Sequence, residues 1–213
     1  MHTRIKTLIL DFGGIIYDID FQRAARSFEQ LGIKKFDDLY SHAVQTGIFE
    51  QLERGELTDS EFYEALMPYF HGRNPEPRNI KKAWNSLLLG FKKERIELIR
   101  SLRKDFRITL LSNTNQIHYD QFSREFKDEF GSRLEDEFDH CTFSHRCGSR
   151  KPEDAVYRKA LKAAQAAPEN CLFIDDTPHN LPPAERAGIR TYLHKPGDEI
   201  TEILPRILAE FNQ

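Results

Sequence analysis

The stretch that decides the fold is residues 8–14, LILDFGG, near the start of the chain. Three consecutive aliphatic side chains predict a short strand that is buried on both faces, as in a parallel sheet. Asp11 follows this strand directly, and Gly13 and Gly14 end the apolar pattern. Because ligands of open parallel sheets bind beside the carboxyl ends of the strands, Asp11 is the first candidate functional residue.

Four further apolar runs repeat this pattern along the chain. They lie at residues 108–111, 141–143, 171–174 and 190–193. Segments with apolar residues at helical spacing lie between them, and Pro152 is expected at the first position of one of these helices. Alternating strands and helices predict an α/β fold with a doubly wound parallel sheet and right-handed crossovers.

The long segment between the first two strands predicts a second, inserted domain. Residues 18–90 contain no convincing strand, but they contain several helix signals. Thr58 and Glu61 form a capping-box pattern, and residues 74–77 (NPEP) interrupt the chain before a further helical stretch. We therefore predict an all-helical cap domain at residues 18–90, inserted into a core domain formed by residues 1–17 and 91–213.

The composition excludes several classes of protein. The chain has 213 residues, of which 39% are hydrophobic and 11% aromatic, too many for a disordered chain. Its formal net charge of −3 argues against binding to nucleic acid or to an anionic membrane surface. Three cysteines are a poor disulfide framework, and neither a signal peptide nor an apolar run of about 18 residues is recognisable. We expect a cytoplasmic protein that is a monomer or a weak dimer.

Polar residues at the predicted strand ends carry the chemistry. They are Asp11, Ser112, Asn113, Lys151, Asp175 and Asp176. Converging carboxylates repel each other unless a cation lies among them, and a few carboxylates with free coordination positions favour Mg²⁺. An ammonium and a hydroxyl beside that cation form a pocket for a tetrahedral phosphate group. Phosphoryl transfer needs this combination, because its catalysis is mostly positioning and charge neutralisation.

Four short motifs in this order resemble those of the haloacid dehalogenase-like (HAD) hydrolases. They are residues 11–14 (DFGG), 112–113 (SN), 150–152 (RKP) and 175–176 (DD). The resemblance covers essentially the whole chain, with residues 18–90 in the place of the family's helical C1 cap. Within the family, the chain looks most like the small bacterial sugar phosphatases of subfamily IA. Local phrases such as residues 53–57 (ERGEL) and 111–115 (LSNTN) add to this likeness.

The resemblance implies a Mg²⁺-dependent phosphatase that acts on small phosphorylated metabolites, in particular sugar phosphates, through an aspartyl-phosphate intermediate. Asp11 would be the nucleophile. Ser112 would bind the phosphoryl oxygens, and Asn113 would orient the phosphate or the substrate. Lys151 would neutralise the transferring group and keep Asp11 ionised.

The resemblance also implies the metal ligands. Asp11 and Asp175 would ligate Mg²⁺ through their side chains, and Gly13 through its backbone carbonyl. Asp176 would reach the metal directly or through water, and Asn180 would brace the loop that carries it.

The chain departs from the family pattern at Gly13. Most phosphatases of the family have an aspartate there that acts as general acid and base, which is typically worth roughly 10²–10⁴-fold in rate. Its absence predicts a preference for anomeric sugar 1-phosphates, acyl phosphates or aryl phosphates over glycerol phosphate. Asp18 and Asp20 are possible substitute acids, although a polar entry to the cap is the favoured interpretation of both.

Two other functions stay open at this point. One is a metal-independent 2-haloacid dehalogenase with the same aspartate nucleophile, against which the paired Asp175 and Asp176 argue. The other is a phosphometabolite-binding protein that lost turnover with its general acid. Retention of Asp11 and Lys151 makes that function less favoured.

Several polar or aromatic side chains have two interpretations. A zinc site from His140, Cys141, His145 and Cys147 is not favoured, because their spacing matches no common finger. Trp84 and Asn85 either line the substrate cleft or form a core tryptophan beside an exposed asparagine. His179 either faces the pocket or is a solvated loop residue, and the second interpretation is favoured.

Overall fold

The computed structural model describes residues 4–34, 36 and 47–211. Its strands, within these residues, are β1 Thr7–Leu10, β2 Tyr17–Ile19, β3 Leu88–Phe91, β4 Arg107–Ser112, β5 His140–Phe143, β6 Cys171–Asp175 and β7 Arg190–Leu193. Five of them form one parallel sheet in the order β5-β4-β1-β6-β7. The predicted parallel α/β sheet is therefore confirmed, with β1, the strand that precedes Asp11, in its centre.

The described helices flank the sheet and form the inserted segment. They are α1 Phe21–Leu31, α2 Ile48–Glu53, α3 Asp59–Leu66, α4 Pro77–Asn85, α5 Lys93–Leu102, α6 Gln116–Phe130, α7 Ser144–Cys147, α8 Asp154–Ala164, α9 Leu181–Arg186 and α10 Ile200–Phe211. Short 3₁₀ turns occupy Met67–Phe70, Leu134–Glu137, Pro168–Asn170 and Pro178–Asn180. None of the helices in these residues has the length and apolar character that a transmembrane segment requires.

The central strand alternates its side chains between two apolar layers. Leu8 and Leu10 pack in one buried cluster with residues of α5, α6 and α10, and Ile9 packs in another with residues of α8 and α9. This arrangement explains why β1 is apolar without interruption, since both of its faces are covered.

The helix that follows Lys151 begins later than predicted. The prediction that Pro152 occupies its first position is wrong, because α8 begins at Asp154. Glu153 precedes it with extended backbone, and its side chain accepts hydrogen bonds from Ser149 and from the backbone N–H of Arg150. These bonds shape a turn that places Lys151 and Pro152 before the helix.

The described helices of the inserted segment share an apolar core of their own. Phe28, Phe49, Phe62 and Trp84 are buried there, with their ring centroids 4.9 to 6.3 Å apart in the contacting pairs. The capping box predicted at the start of α3 is confirmed, since Thr58 and Glu61 exchange side chain to backbone hydrogen bonds.

The prediction that this segment is all helical is wrong at its two ends. β2 and β3 pair there as an antiparallel ribbon, with Tyr17 opposite Phe91 and Asp18 opposite Gly90. Both strands are only three or four residues long, and neither shows a clear alternation of buried and exposed side chains. The domain boundaries at residues 18 and 90 stay a prediction.

Candidate active site

The sheet brings three of the predicted site residues to one edge. Leu10 pairs with Leu110 on one side and with Ile174 on the other. Asp11 therefore follows β1 directly beside the end of β6, which is Asp175, and beside the end of β4, which is Ser112.

Lys151 joins the two buried carboxylates. Its Nζ lies 2.6 Å from Asp11 Oδ1 and 2.6 Å from Asp175 Oδ2, and only 2% of Lys151 is exposed. Asn180 donates to both oxygens of Asp175, and the backbone N–H of Thr177 donates to Asp175 Oδ1 at 2.8 Å. Asp175 is thus fixed from three sides, as expected for the loop that Asn180 was predicted to brace.

The carboxylates outnumber the positive charges in this cluster. Asp11, Asp175 and Asp176 each offer an oxygen within 4.8 Å of the others. Burial raises the pKa of Asp11 to about 7; Lys151 opposes this shift, and the neighbouring Asp175 and Asp176 add to it. Burial and Asp175 also raise the pKa of Asp176.

This charge imbalance fits a divalent cation. Three carboxylates face one ammonium, so a further positive charge would relieve both their repulsion and their loss of hydration. Hard oxygen ligands that leave room for water and phosphate match Mg²⁺. Asp11, Asp175 and Asp176 are the residues that would hold it.

Gly13 and Gly14 allow the loop after β1 to lie close to the carboxylate cluster. Gly14 has φ +77°, and a Cβ on it would overlap the Asp176 carboxylate. At Gly13 a Cβ would lie 2.9 Å from Ile19 Cδ1 of β2. The side chain of Ile19 thus occupies the space where an acidic side chain at position 13 would begin.

The side chain of Asn113 bonds to the backbone of Lys151, and its role in orienting phosphate or substrate stays a prediction. Its side-chain amide accepts from the Lys151 backbone N–H at 2.8 Å and donates to the Lys151 carbonyl at 2.9 Å. Both ends of the amide therefore hold the loop that carries Lys151. Ser112 is buried at 2% exposure at the end of β4, beside Asn113.

Two adjoining cavities open beside the cluster. The first, the acidic cavity, has about 260 Å³ and is lined by Asp11, Gly13, Ile19, Phe21, Glu53, Asn113, Arg150, Lys151, Asp176, Thr177, His179 and Asn180. The second, the apolar cavity, has about 70 Å³ and is lined by Phe12, Gly13, Ile19, Phe21, Glu53, Trp84, Leu87, Leu88, Ser112, Asn113, Thr114, His118 and Phe122. The two cavities share five lining residues, which come from the ends of the core strands and from the inserted segment; together they are called the cleft.

Ion pairs hold the inserted helices against the site. Arg150, next to Lys151, donates from Nε to Glu53 Oε2 at 2.7 Å and from Nη1 to Glu50 Oε1 at 3.1 Å. Arg54 donates from Nε to Glu153 Oε1 at 2.8 Å. The end of α2 is therefore fixed over the cleft by charged contacts with the loop before α8.

Gly55 makes this contact possible. It has φ +71°, and a Cβ there would overlap the backbone carbonyl of His145 in α7. The chain turns at Gly55 directly after α2 and Arg54. No other residue type allows the backbone of this turn to lie so close to α7 without displacement.

Glu53 is a cleft residue that the sequence analysis did not assign. It lines both cavities and is half-buried. Its signal in the sequence was weak, because an acid at the end of a short helix is usually solvated. Only the packing of α2 against the loop of Arg150 turns it inward.

The remaining candidates have ordinary structural partners. Asp18 accepts from Arg95 Nη1 at 2.7 Å, and Asp20 caps α1 by accepting from the Gln22 N–H at 2.9 Å. These contacts agree with the polar entry to the cap that was favoured. His179 is exposed, although it lines the acidic cavity.

Trp84 combines both of its predicted interpretations. It is a core residue at 2% exposure, and it also lines the apolar cavity. Its ring centroid lies 4.6 Å from that of His118. Asn85 is half-buried rather than exposed.

The cysteine and histidine group of residues 140–147 is dispersed along one strand and one helix. His140 and Cys141 lie in β5, and His145 and Cys147 lie in α7. The ring of His145 lies 5.8 Å from that of Tyr119, and Cys147 Sγ lies 3.3 Å from the Ser149 carbonyl. Among the described residues, the group of possible metal ligands that converges is Asp11, Asp175 and Asp176, and these four residues do not form one.

Comparison with known proteins identifies the family to which the chain belongs. A family model described as haloacid dehalogenase-like hydrolase matches residues 5–188. The chain belongs to this family. It is therefore a HAD hydrolase, and its parallel sheet with an inserted helical segment is the fold of that family.

Individual relatives cover nearly the whole chain. A D-ribitol-5-phosphate phosphatase of Bacteroides thetaiotaomicron is 34% identical over 209 residues, which are 96% of this chain and 98% of that protein. The structure of a HAD family enzyme from the same species has a TM-score of 0.87 at 29% identity and covers 95% of this chain and 99% of its own. That enzyme has also been crystallised with magnesium and inorganic phosphate; this complex has a TM-score of 0.82 at 30% identity and covers 92% of this chain and 96% of its own.

A more distant structure shares the fold alone. The 2-haloacid dehalogenase of Pseudomonas syringae has a TM-score of 0.63 at 18% identity, with 97% of this HAD hydrolase and 99% of that chain covered. The likeness confirms the architecture and carries no argument about dehalogenation.

Proposed function

We propose that this HAD hydrolase is a Mg²⁺-dependent phosphatase that hydrolyses phosphate monoesters of small sugars and sugar alcohols through a phosphorylated aspartate. The observation that carries the proposal is the contact of the buried Lys151 Nζ with Asp11 and Asp175, each at 2.6 Å. It supports the proposal because a carboxylate, an ammonium and further hard oxygen ligands meet at the end of the central strand. The phosphatase relative and the structure with magnesium and phosphate support the same reaction.

In the first step an oxygen of Asp11 attacks the phosphorus atom, and the bond from phosphorus to the leaving oxygen breaks. Lys151 offsets negative charge on the transferring group and keeps Asp11 ionised. Asn113 lines the acidic cavity beside Lys151, and Ser112 at the end of β4 lines the adjoining apolar cavity, from which it would reach the phosphoryl oxygens. Bound Mg²⁺ would add charge neutralisation at the phosphoryl oxygens.

In the second step water attacks the same phosphorus atom. The bond between phosphorus and the Asp11 oxygen breaks, and inorganic phosphate leaves. The carboxylate of Asp11 is thereby restored in contact with Lys151. Asp175 keeps its position throughout, because Asn180 and Thr177 hold it.

The size and lining of the two cavities support the proposal that the substrate is small. The acidic cavity suits a phosphoryl group, and the apolar cavity beside it, with about 70 Å³, suits a short leaving group. A sugar or sugar alcohol of five or six carbons extends toward Phe21, which is 46% exposed at the edge of both cavities.

A phosphate-release assay over a panel of phosphate esters tests this function. The panel contains ribitol 5-phosphate, a hexose 6-phosphate, a sugar 1-phosphate, glycerol 3-phosphate and an aryl phosphate, each with Mg²⁺ and with a chelator. We expect release that requires Mg²⁺ and falls to background in Asp11→Asn. Comparison of the sugar 1-phosphate with the glycerol ester decides between the preference for stable leaving groups predicted from Gly13 and a supply of the proton by another residue.

Two outcomes of the same assay contradict the proposal. One is release of chloride from chloroacetate in the chelator while no ester is hydrolysed, which would indicate a dehalogenase. The other is tight binding of a sugar phosphate without turnover, which would indicate a binding protein.

A further inference from the structure

The leaving oxygen of an alcohol phosphate needs a proton, and the usual donor is missing here. Gly13 occupies the position of the family's general acid, and Ile19 fills the space beside it. Asp18 is paired with Arg95, and Asp20 caps α1. Neither carboxylate lines the acidic or the apolar cavity.

Glu53 lies where such a donor is needed. Asp11, Asp176 and Glu53 are the carboxylates of the described residues that line the acidic cavity, and Glu53 also lines the apolar one. In the proposed function the phosphoryl group occupies the first cavity and the carbon skeleton the second. The oxygen between phosphorus and carbon therefore lies at their junction, beside Glu53.

The side chain of Glu53 has one oxygen fixed and one oxygen available. Oε2 accepts from Arg150 Nε at 2.7 Å, and within the described part of the chain Oε1 has no hydrogen-bond partner. Only 16% of the side chain is exposed. The ion pair thus orients the carboxyl group without using both of its oxygens.

The charged groups around Glu53 come from two elements. Glu50 lies on the same helix, and Arg150 and Lys151 lie on the loop before α8. Burial raises the pKa of Glu53, Arg150 and Lys151 oppose this shift, and Glu50 adds to it. The net direction of the Glu53 pKa is upward.

We propose that Glu53, from the inserted helices, is the general acid and base that replaces the missing residue at Gly13. The inference rests on the proposed function. As Asp11 attacks phosphorus, the carboxyl of Glu53 gives its proton to the leaving oxygen, so that the bond to phosphorus breaks and a neutral alcohol departs. The Glu53 carboxylate then takes a proton from the water that attacks the phosphoaspartate. This step releases phosphate and restores the ionised carboxylate of Asp11 and the protonated carboxyl of Glu53.

The test compares leaving groups in Glu53→Gln and in a matched control. The measured quantity is kcat/KM, which covers the steps up to release of the alcohol, for p-nitrophenyl phosphate and for ribitol 5-phosphate with Mg²⁺. We expect Glu53→Gln to lose roughly 10²–10⁴-fold on the alkyl ester but less than about 10-fold on the aryl ester, whose leaving group needs no proton. Retained aryl turnover also shows that the variant folds.

Glu50→Gln is the control, because Glu50 pairs with the same Arg150 but lines neither cavity. We expect it to change both kcat/KM values equally and by less than about 3-fold, as for a solvent-accessible ion pair. We also expect a burst of p-nitrophenol in Glu53→Gln, because loss of the base slows hydrolysis of the phosphoaspartate.

Three results would overturn the inference while leaving the phosphatase function intact. They are an equal loss of kcat/KM on both esters in Glu53→Gln, a higher KM with unchanged kcat, and a selective loss on the alkyl ester in His179→Ala instead. Wild-type protein that releases phosphate from neither ester would overturn the proposed function itself, and this inference with it.

Discussion

A single ammonium group, that of Lys151, lies among three carboxylates at the end of the central strand. Lys151 and Asp175 are almost completely buried, so water screens their charges little. Asp11 and Asp175 raise the pKa of Lys151, although its burial acts in the opposite direction. The local charge balance therefore depends on this one side chain, and on a cation beside it.

We expect Lys151→Met to destabilise the protein strongly in the absence of Mg²⁺. Removal of one partner leaves the buried carboxylates without a counterion, which typically costs about 3–5 kcal/mol. Mg²⁺ should restore part of this loss, since it supplies positive charge to the same oxygens. Urea unfolding with and without Mg²⁺ measures both effects.

Lys159→Met is the control for this change, because Lys159 is exposed and donates to the Cys147 carbonyl. It should shift the unfolding free energy little. Equal stabilities of the two variants would contradict the role given to Lys151.

A second buried residue, His118, makes stability depend on pH. The Asn115 side-chain amide lies 3.1 Å from its Nδ1, and its Nε2 lies 3.3 Å from the Trp84 carbonyl. This pattern fits a neutral ring with its proton on Nε2. Burial lowers the pKa of His118 to about 3, against only a small opposing effect of the Trp84 carbonyl.

We expect wild-type protein to lose more stability than His118→Gln between pH 7.5 and pH 5. In this window the unfolded chain protonates the histidine, whose ordinary pKa is near 6.5, while the folded protein does not. The neutral buried ring therefore contributes its full stabilisation above the pKa of the unfolded histidine. Below that pKa the free energy of unfolding falls, and the loss reaches about 2 kcal/mol at pH 5. Urea unfolding at both pH values gives the difference, and parallel losses in the two proteins would contradict it.

At the scale of elements, the end of α2 positions the inserted helices over the cleft. Arg54, Glu50 and Glu53 pair with the loop before α8, and Gly55 brings the following turn against α7. The geometry of the cleft therefore depends on the backbone approach at Gly55 and on the Arg150–Glu53 and Arg54–Glu153 pairs.

We expect Gly55→Ala to reduce kcat/KM by roughly 10–100-fold, because displacement of this turn by about 1 Å misaligns the cleft. Gly72→Ala is the matched control. Gly72 also has a positive φ, of +85°, but a Cβ there has no neighbour within 4 Å. Both variants carry backbone strain, so similar activities of the two would contradict the importance of the close approach.

At the scale of the whole molecule, a cation that binds only the folded state should stabilise all of it. We expect the melting temperature to rise with Mg²⁺ concentration, following the binding free energy at each concentration. The rise should disappear in Asp175→Asn, which removes one carboxylate charge from the cluster. An equal rise in wild type and variant would place the cation elsewhere.

Much of the core was predictable from sequence for a physical reason. Strands buried on both faces read as short apolar runs, and Asp11, Ser112 and Asp175 end such runs. A parallel sheet then brings these residues to one edge without further information. Lys151 was predictable from its motif, while its place between two carboxylates needed the structure.

The inserted segment was less predictable, because its features depend on tertiary contacts. β2 and β3 are too short to show a period, and each is stabilised by pairing with the other. Pro152 looked like a helix start, but the bonds of Glu153 set the start at Asp154. Glu53 was missed because only the pairing with Arg150 turns it into the cleft.

The central claim is that Asp11 carries the phosphoryl group during turnover, and trapping that group tests it most directly. Protein mixed with Mg²⁺ and p-nitrophenyl phosphate is quenched in acid, digested and analysed by mass spectrometry. We expect the peptide that contains Asp11 to gain the mass of one PO₃ group, to lose it in hydroxylamine, and to gain nothing in Asp11→Asn. Release of phosphate by wild type with no modified peptide, or with equal turnover in Asp11→Asn, would contradict the account.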